Sequence, residues 1–224
     1  MSTTQDNEIF NYLISHLLVI KENINVTYRD YRKEELKKIA ENEYNEADIV
    51  CKISAPFGNL AHVNIGDRNL GNKGKDILIS NKSFEIEVKF LRNFRTGRKT
   101  TSSNKTIWKE IEKDFEWLME DIKKGRKGKS AFILGWFNAY DRFSQIVQLG
   151  EGKGSYPALN QDRILLFPFL SQDDVLHPTT SNIHYIYEDE YEISKINIKG
   201  ENRKKMSCVF LGKPEDKFHF ALYY

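Results

Sequence analysis

Residues 74–92 read GKDILISNKSFEIEVKFLR, two hydrophobic runs that meet at Asn81-Lys82. A two-residue turn there sets Ile79 opposite Phe84, Leu78 opposite Glu85, Ile77 opposite Ile86 and Asp76 opposite Glu87. A four-residue loop from Ser80 to Ser83 keeps that register, whereas a three-residue loop breaks it. Side chains alternate along a strand, so Ile77, Ile79, Phe84, Ile86, Val88 and Phe90 share one face. Asp76, Leu78, Glu85, Glu87 and Lys89 share the other.

Two carboxylates directly opposed across a hairpin destabilise it by a few tenths to about 1 kcal/mol, so their placement calls for compensation. A divalent cation supplies it. Mg²⁺ takes oxygen ligands, is commonly held by one or two carboxylates with water and substrate phosphate, and needs no dedicated cage. Lys89, two residues beyond Glu87, projects toward the same spot, where a cation lowers the pKa of water or stabilises charge developing on a phosphate. Alternating charges on a half-exposed strand explain the same residues without chemistry, and Glu-x-Lys recurs by chance, so the surrounding elements must decide.

Working outward, Ile9, Tyr12, Leu13, His16, Leu17 and Ile20 fall at helical spacing, and so do Leu36, Ile39 and Ala40 within a second pattern from about Tyr28 to Tyr44. ADIVCKIS and NLAHVNIG, separated by Pro56 and Gly58, read as short β segments and count together as one β unit over 48–65. After the hairpin, Ile107, Trp108, Ile111, Phe115, Leu118 and Ile122 return to helical spacing. SAFILGWF (130–137) is apolar on both faces, as a strand covered on both sides should be. Later, RILLFPFL reads as a strand interrupted by Pro168. IHYIYEDEYEISKINIKG and KMSCVFLG read as a hairpin-rich ending that turns near Gly200. The expected fold is α/β, with an order of helix, three strands, helix and strand, then a β-rich elaboration over about 140–224 within a single domain.

An acidic residue at the head of the second strand, Glu87-Val88-Lys89 in the third, and this order of elements over roughly 28–137 resemble the PD-(D/E)xK nuclease superfamily, the restriction-endonuclease-like fold. The resemblance implies an α-β-β-β-α-β mixed sheet flanked by helices. It implies that Asp76 and Glu87 hold Mg²⁺ (or Mn²⁺), that the Val88 carbonyl adds a ligand, and that Lys89 helps activate the attacking water. It also implies a homodimer that cuts both strands of DNA. Lys75 departs from the proline that the family often carries there. Many members add a Glu from the helix before the sheet, for which Glu8, Glu34, Glu35, Glu41 and Glu43 compete.

Beyond Lys89 comes LRNFRTGRKTTSSNKTIW, where Arg92, Arg95, Arg98, Lys99 and Lys105 lie among hydroxyl and amide side chains suited to phosphate contact. A solvated loop accounts equally for the composition; proximity to Lys89 favours nucleic acid. The cations of KKGRKGK (123–129) fit either nucleic-acid contact or the C-terminal end of a helix dipole.

The chain has 224 residues, 40% of them apolar, which suffices for a substantial core. Its 34 Lys plus Arg nearly balance 32 Asp plus Glu, so binding to nucleic acid must rest on local clusters. MSTTQDNEIF lacks a signal pattern and no apolar run spans a bilayer, giving the expectation of a cytoplasmic protein without membrane contact. Cys51 and Cys208 stand alone, the five histidines lack metal-ligand spacing, and Gly128-Lys129-Ser130 is followed by a strand where a phosphate-binding loop needs a helix. The expected function is a Mg²⁺-dependent endonuclease acting on double-stranded DNA in a restriction-like role. Alternatives are an inhibitor or nucleic-acid-binding module on the same scaffold, or an RNA-cleaving toxin.

Overall fold

A computed structural model describes residues 5–64, 75–92, 103–126, 128–151 and 156–224. The chain opens with α1 (Gln5–Thr27), α2 (Lys33–Asn42) and α3 (Glu46–Ser54), followed by a short 3₁₀ segment and β1 (Ala61–Val63). Next come β2 (Ile77–Ile79), β3 (Phe84–Leu91), α4 (Ser103–Lys123) and β4 (Ser130–Phe137). The remainder holds α5 (Phe143–Val147), β5 (Gly150–Glu151), β6 (Ala158–Leu159), α6 (Gln161–Ile164), β7 (Leu170–Gln172), β8 (Ile183–Tyr185), β9 (Ile193–Asn197), β10 (Lys205–Leu211) and β11 (Phe218–Tyr223).

The described residues form one mixed seven-stranded sheet in the order β1-β2-β3-β4-β11-β10-β9, with two small two-stranded sheets beside it. β3 and β4 run parallel, and the other pairs of the large sheet are antiparallel. The parallel step needs a crossover, and α4 provides it. One face of the sheet packs against α1, α2 and α3 through Leu13, Leu17, Leu36, Ile49 and Ile53, which meet Ile77, Ile86, Val88 and Ile133. The opposite face packs against α4 and the C-terminal elements, where Ile111, Phe115 and Leu118 meet Phe132, Leu134 and Tyr223. Every residue of β4 is buried, consistent with its position between β3 and β11.

The hairpin register is as expected: Ile77 pairs with Ile86, Leu78 with Glu85 and Ile79 with Phe84. Its connection is longer than a two-residue turn. Ser80–Lys82 form a 3₁₀ turn and Ser83 adopts φ +50°, which gives the four-residue loop that keeps the alternation. Asp76 lies immediately before β2, at a bend.

Two segments differ from expectation. ADIVCKIS belongs to a helix: Asn45 and Asp48 form a reciprocal capping box, and Ile49, Val50 and Ile53 bury one helical face that an alternating reading mistakes for a strand. RILLFPFL is no strand either. Asn160 caps the short α6, whose end and the following turns carry the chain past Pro168, and β7 begins only at Leu170. The β9–β10 hairpin turns near Gly200, at φ +83°, as the sequence indicates. β11, which the pattern of the last residues left unread, inserts between β4 and β10. Lys21 on α1 ties down the turn before β11 through a buried ion pair, Nζ to Asp216 Oδ2 at 2.5 Å. No helix among the described residues is long and apolar enough to cross a membrane.

Candidate active site

β2 stops at Ile77, but β3 continues for five residues past Ile86, its partner. Glu85 N donates to Lys129 O on the β4 side, so by alternation the N–H groups of Val88 and Phe90 face the other way, where no strand among the described residues receives them. Two carboxylates take their place. Asp76 Oδ2 accepts from Val88 N at 2.8 Å, and Glu46 Oε2 accepts from Phe90 N at 3.2 Å. The Val88 carbonyl leaves the strand on the same side as its N–H. Local chain geometry therefore brings Asp76 beside the Glu87-Val88-Lys89 segment.

Each charge on the polar face of β3 meets an opposite one. Glu85 accepts from Arg126 Nη2 at 3.2 Å. Glu87 Oε2 lies 3.3 Å from Lys75 Nζ, an ion pair without hydrogen-bond alignment that leaves this buried oxygen with no hydrogen-bond partner among the described residues. Lys89 Nζ lies 3.3 Å from Glu46 Oε2. The Lys75 ammonium also sits 3.7 Å over the ring of Trp117, a cation–π contact from α4.

Above this face runs α4. Glu110, Asp114, Trp117 and Asp121 follow one another at helical spacing along one side of it. Asp121 accepts from the Ser130 hydroxyl at 2.5 Å. Asp114 is only 8% exposed, and its Oδ2 has no hydrogen-bond partner among the described residues.

The electrostatics follow from this crowding. Burial, and then the charge of Glu87, push Asp76 up to about 7 against the restraint of the Val88 N–H. Asp114 is likewise pushed up to about 7, first by burial and then by Glu87, with Lys89 and Lys75 opposing. Burial works to discharge Lys89, but Glu46, Asp114, Glu110 and Asp76 outweigh it and raise its pKa above the ordinary lysine value. Lys89 is therefore a fixed positive charge at neutral pH. It can donate hydrogen bonds and stabilise negative charge, and it cannot serve as a resting base.

Among the described residues no group of three or more His, Cys, Asp and Glu side chains is arranged to hold a metal ion. A hard cation such as Mg²⁺ needs only one or two carboxylates when water and a phosphate complete its shell. Asp76 and Glu87 fit that requirement, with an unsatisfied carboxylate oxygen on Glu87.

Of the other expected residues, Arg92 follows β3 directly and is half-buried. Arg95, Arg98 and Lys99 lie outside the described residues. Lys105 falls in the first turn of α4, its side chain also outside them. The KKGRKGK cations are engaged internally at Lys123, Arg126 and Lys129, which pair with Glu120, with Glu85 and Asp121, and with the Lys82 carbonyl. His16 contacts the Lys52 carbonyl at 3.0 Å between α1 and α3.

Two acids escaped the sequence reading. Glu46 was hidden because its helix was read as a strand. Of the helix acids that were considered, Glu35 is spent capping α2 and Glu41 accepts from Tyr140. Asp114 had a visible signal, the polar stripe Glu110, Asp114, Asp121 beside an apolar one. Comparison with protein-family models, with curated proteins and with solved structures returned no match.

Proposed function

We propose that this chain is a Mg²⁺-dependent endonuclease of the PD-(D/E)xK type. The observation that carries the reading is the fixed carboxylate of Asp76 on the Val88 N–H, on the unpaired edge of β3 and flanked by Glu87 and Lys89. Support also comes from the order α3, β1, β2, β3, α4, β4, with β3 and β4 parallel, which matches the α-β-β-β-α-β core of that superfamily. Glu46 takes the part of the acid contributed by the preceding helix.

In this reading Asp76, Glu87 and the Val88 carbonyl hold the cation. A divalent ion supplies Lewis-acid charge to the scissile phosphate and acidifies water in its shell. Lys89, held by Glu46, donates to the attacking water and to the phosphate oxygen that gains charge. Water would add at phosphorus and give up a proton to solvent, the bond to the leaving sugar oxygen would break, and that oxygen would take up a proton from solvent. The substrate proposed is double-stranded DNA, cut by a homodimer in a restriction-like role, with Arg92, Arg95, Arg98, Lys99 and Lys105 contacting phosphates.

The test is incubation of purified protein with duplex DNA and with RNA, with and without Mg²⁺. Cleavage of DNA that requires Mg²⁺, and that falls by about 100-fold or more in Asp76→Asn, Glu87→Gln and Lys89→Ala, is expected. Unimpaired cleavage by all three variants rules the centre out, and cleavage of RNA alone replaces the substrate.

One observation favours a second reading, a non-catalytic binding module: Glu85, Glu87 and Lys89 each already have an internal partner. Such a module binds nucleic acid equally well with and without Mg²⁺ and cuts nothing.

A further inference from the structure

Among the described residues Asp114 is a buried acid that the proposed centre does not use. The residue is only 8% exposed, and among the described residues nothing donates a hydrogen bond to its Oδ2. Burying a carboxylate without a partner is unfavourable, and an apolar residue at this position on α4 would pack without that cost. Among the described residues, the charges that act most on Asp114 are Glu87, Lys89, Lys75 and Asp76. Asp114 lies one turn along α4 from Trp117, the ring of which carries the Lys75 ammonium that pairs with Glu87, and Glu87 Oε2 is a second carboxylate oxygen there without an aligned donor. Two buried carboxylate oxygens without a hydrogen-bond donor among the described residues, one of them in an unaligned ion pair with Lys75, match the needs of a hydrated cation. Mg²⁺ keeps several of its waters, and those waters are donors.

We propose that Asp114 is a third carboxylate of the cation site, receiving through Oδ2 hydrogen bonds from the water shell of the ion that Asp76 and Glu87 hold. This rests on the reading given under Proposed function and adds a residue that the Asp-Glu-x-Lys pattern does not contain. An acid in this outer position orients coordinated water and raises affinity for the ion; loss of such groups costs about 10- to 100-fold in metal affinity. Asp114 is a positioning residue, acting on the phosphate only through that water.

The experiment is titration of the DNA-free protein with Mn²⁺ at pH 8, followed by calorimetry and by the electron paramagnetic resonance signal of free Mn²⁺. Wild type, Asp114→Asn and Glu110→Gln are compared, with folding checked by circular dichroism. Glu110 lies one turn from Asp114 and is exposed, so its variant deletes the same charge away from the proposed water contact. The expected result is binding by wild type, at least about 10-fold weaker binding by Asp114→Asn, and a change below about twofold in Glu110→Gln. Asp114→Ser makes the same deletion if the Asn variant does not fold. Wild-type binding that Asp114→Asn leaves unchanged, or that Glu110→Gln weakens as much, overturns the assignment and leaves the Asp76 and Glu87 pair standing. No binding by wild type overturns both.

Discussion

The ammonium of Lys75 lies 3.3 Å from Glu87 Oε2, where a proline often stands in the nuclease family that the sequence resembles. In the proposed centre Lys75 and a divalent cation would compete for the same carboxylate. Two like charges about 4 Å apart repel by roughly 1 kcal/mol even at the dielectric of water, which is about fivefold in affinity. Lys75→Met should therefore tighten Mn²⁺ binding about fivefold or more at pH 8, read by calorimetry without DNA. Weaker binding would mean that Lys75 orients Glu87 and does not compete.

Asp114 should make the metal-free protein less stable as pH rises. Its folded pKa, about 7, stands above the ordinary 3.8, so between these values the folded state binds more protons than the unfolded state. Unfolding free energy then falls as pH rises from about 4 to 7, and the penalty is complete above 7. Each unit of displacement corresponds to about 1.4 kcal/mol. Asp114→Asn should melt higher than wild type at pH 8 in chelator and equally at pH 4. Equal melting at both pH values would show that Asp114 carries no burden for a cation to relieve.

His219 should act in the opposite direction. Its ring is fully buried among Trp136, Tyr185 and Phe210, Nδ1 has no partner, and burial pushes its pKa down to about 3. The unfolded ring titrates near 6.5, so its contribution is fully present above that pH. It is lost as pH falls toward 3, at about 1.4 kcal/mol per unit. Urea denaturation of wild type and His219→Phe at pH 7 and 5 should show a shallower acid-side decline in the variant. Parallel declines would show that the ring is protonated without cost.

What the sequence disclosed follows from where local rules act alone. The Ile77 to Phe90 alternation fixed the hairpin register because a one-residue slip would have turned every charge into the core. The burial of Phe132 and Leu134 on one side and Ile133 on the other was legible in an unbroken apolar run. Residues 46–54 misled because Ile49, Cys51 and Ile53 alternate as a strand does while Ile49, Val50 and Ile53 equally share one helical face, and the Asn45 cap with Asp48 is what decides between them. Asp76, Glu87 and Lys89 could be placed together from the hairpin. Glu46 and Asp114 reach them only through the packing of α3 and α4 on the sheet, which no spacing within β3 encodes.

The most direct measurement is an anomalous difference map from crystals grown with Mn²⁺. The account predicts a peak about 2.1 Å from a carboxylate oxygen of both Asp76 and Glu87, with the Val88 carbonyl adjacent and a water between the ion and Asp114. Crystals saturated with Mn²⁺ that show no peak there, with Lys75 still seated on Glu87, would contradict it.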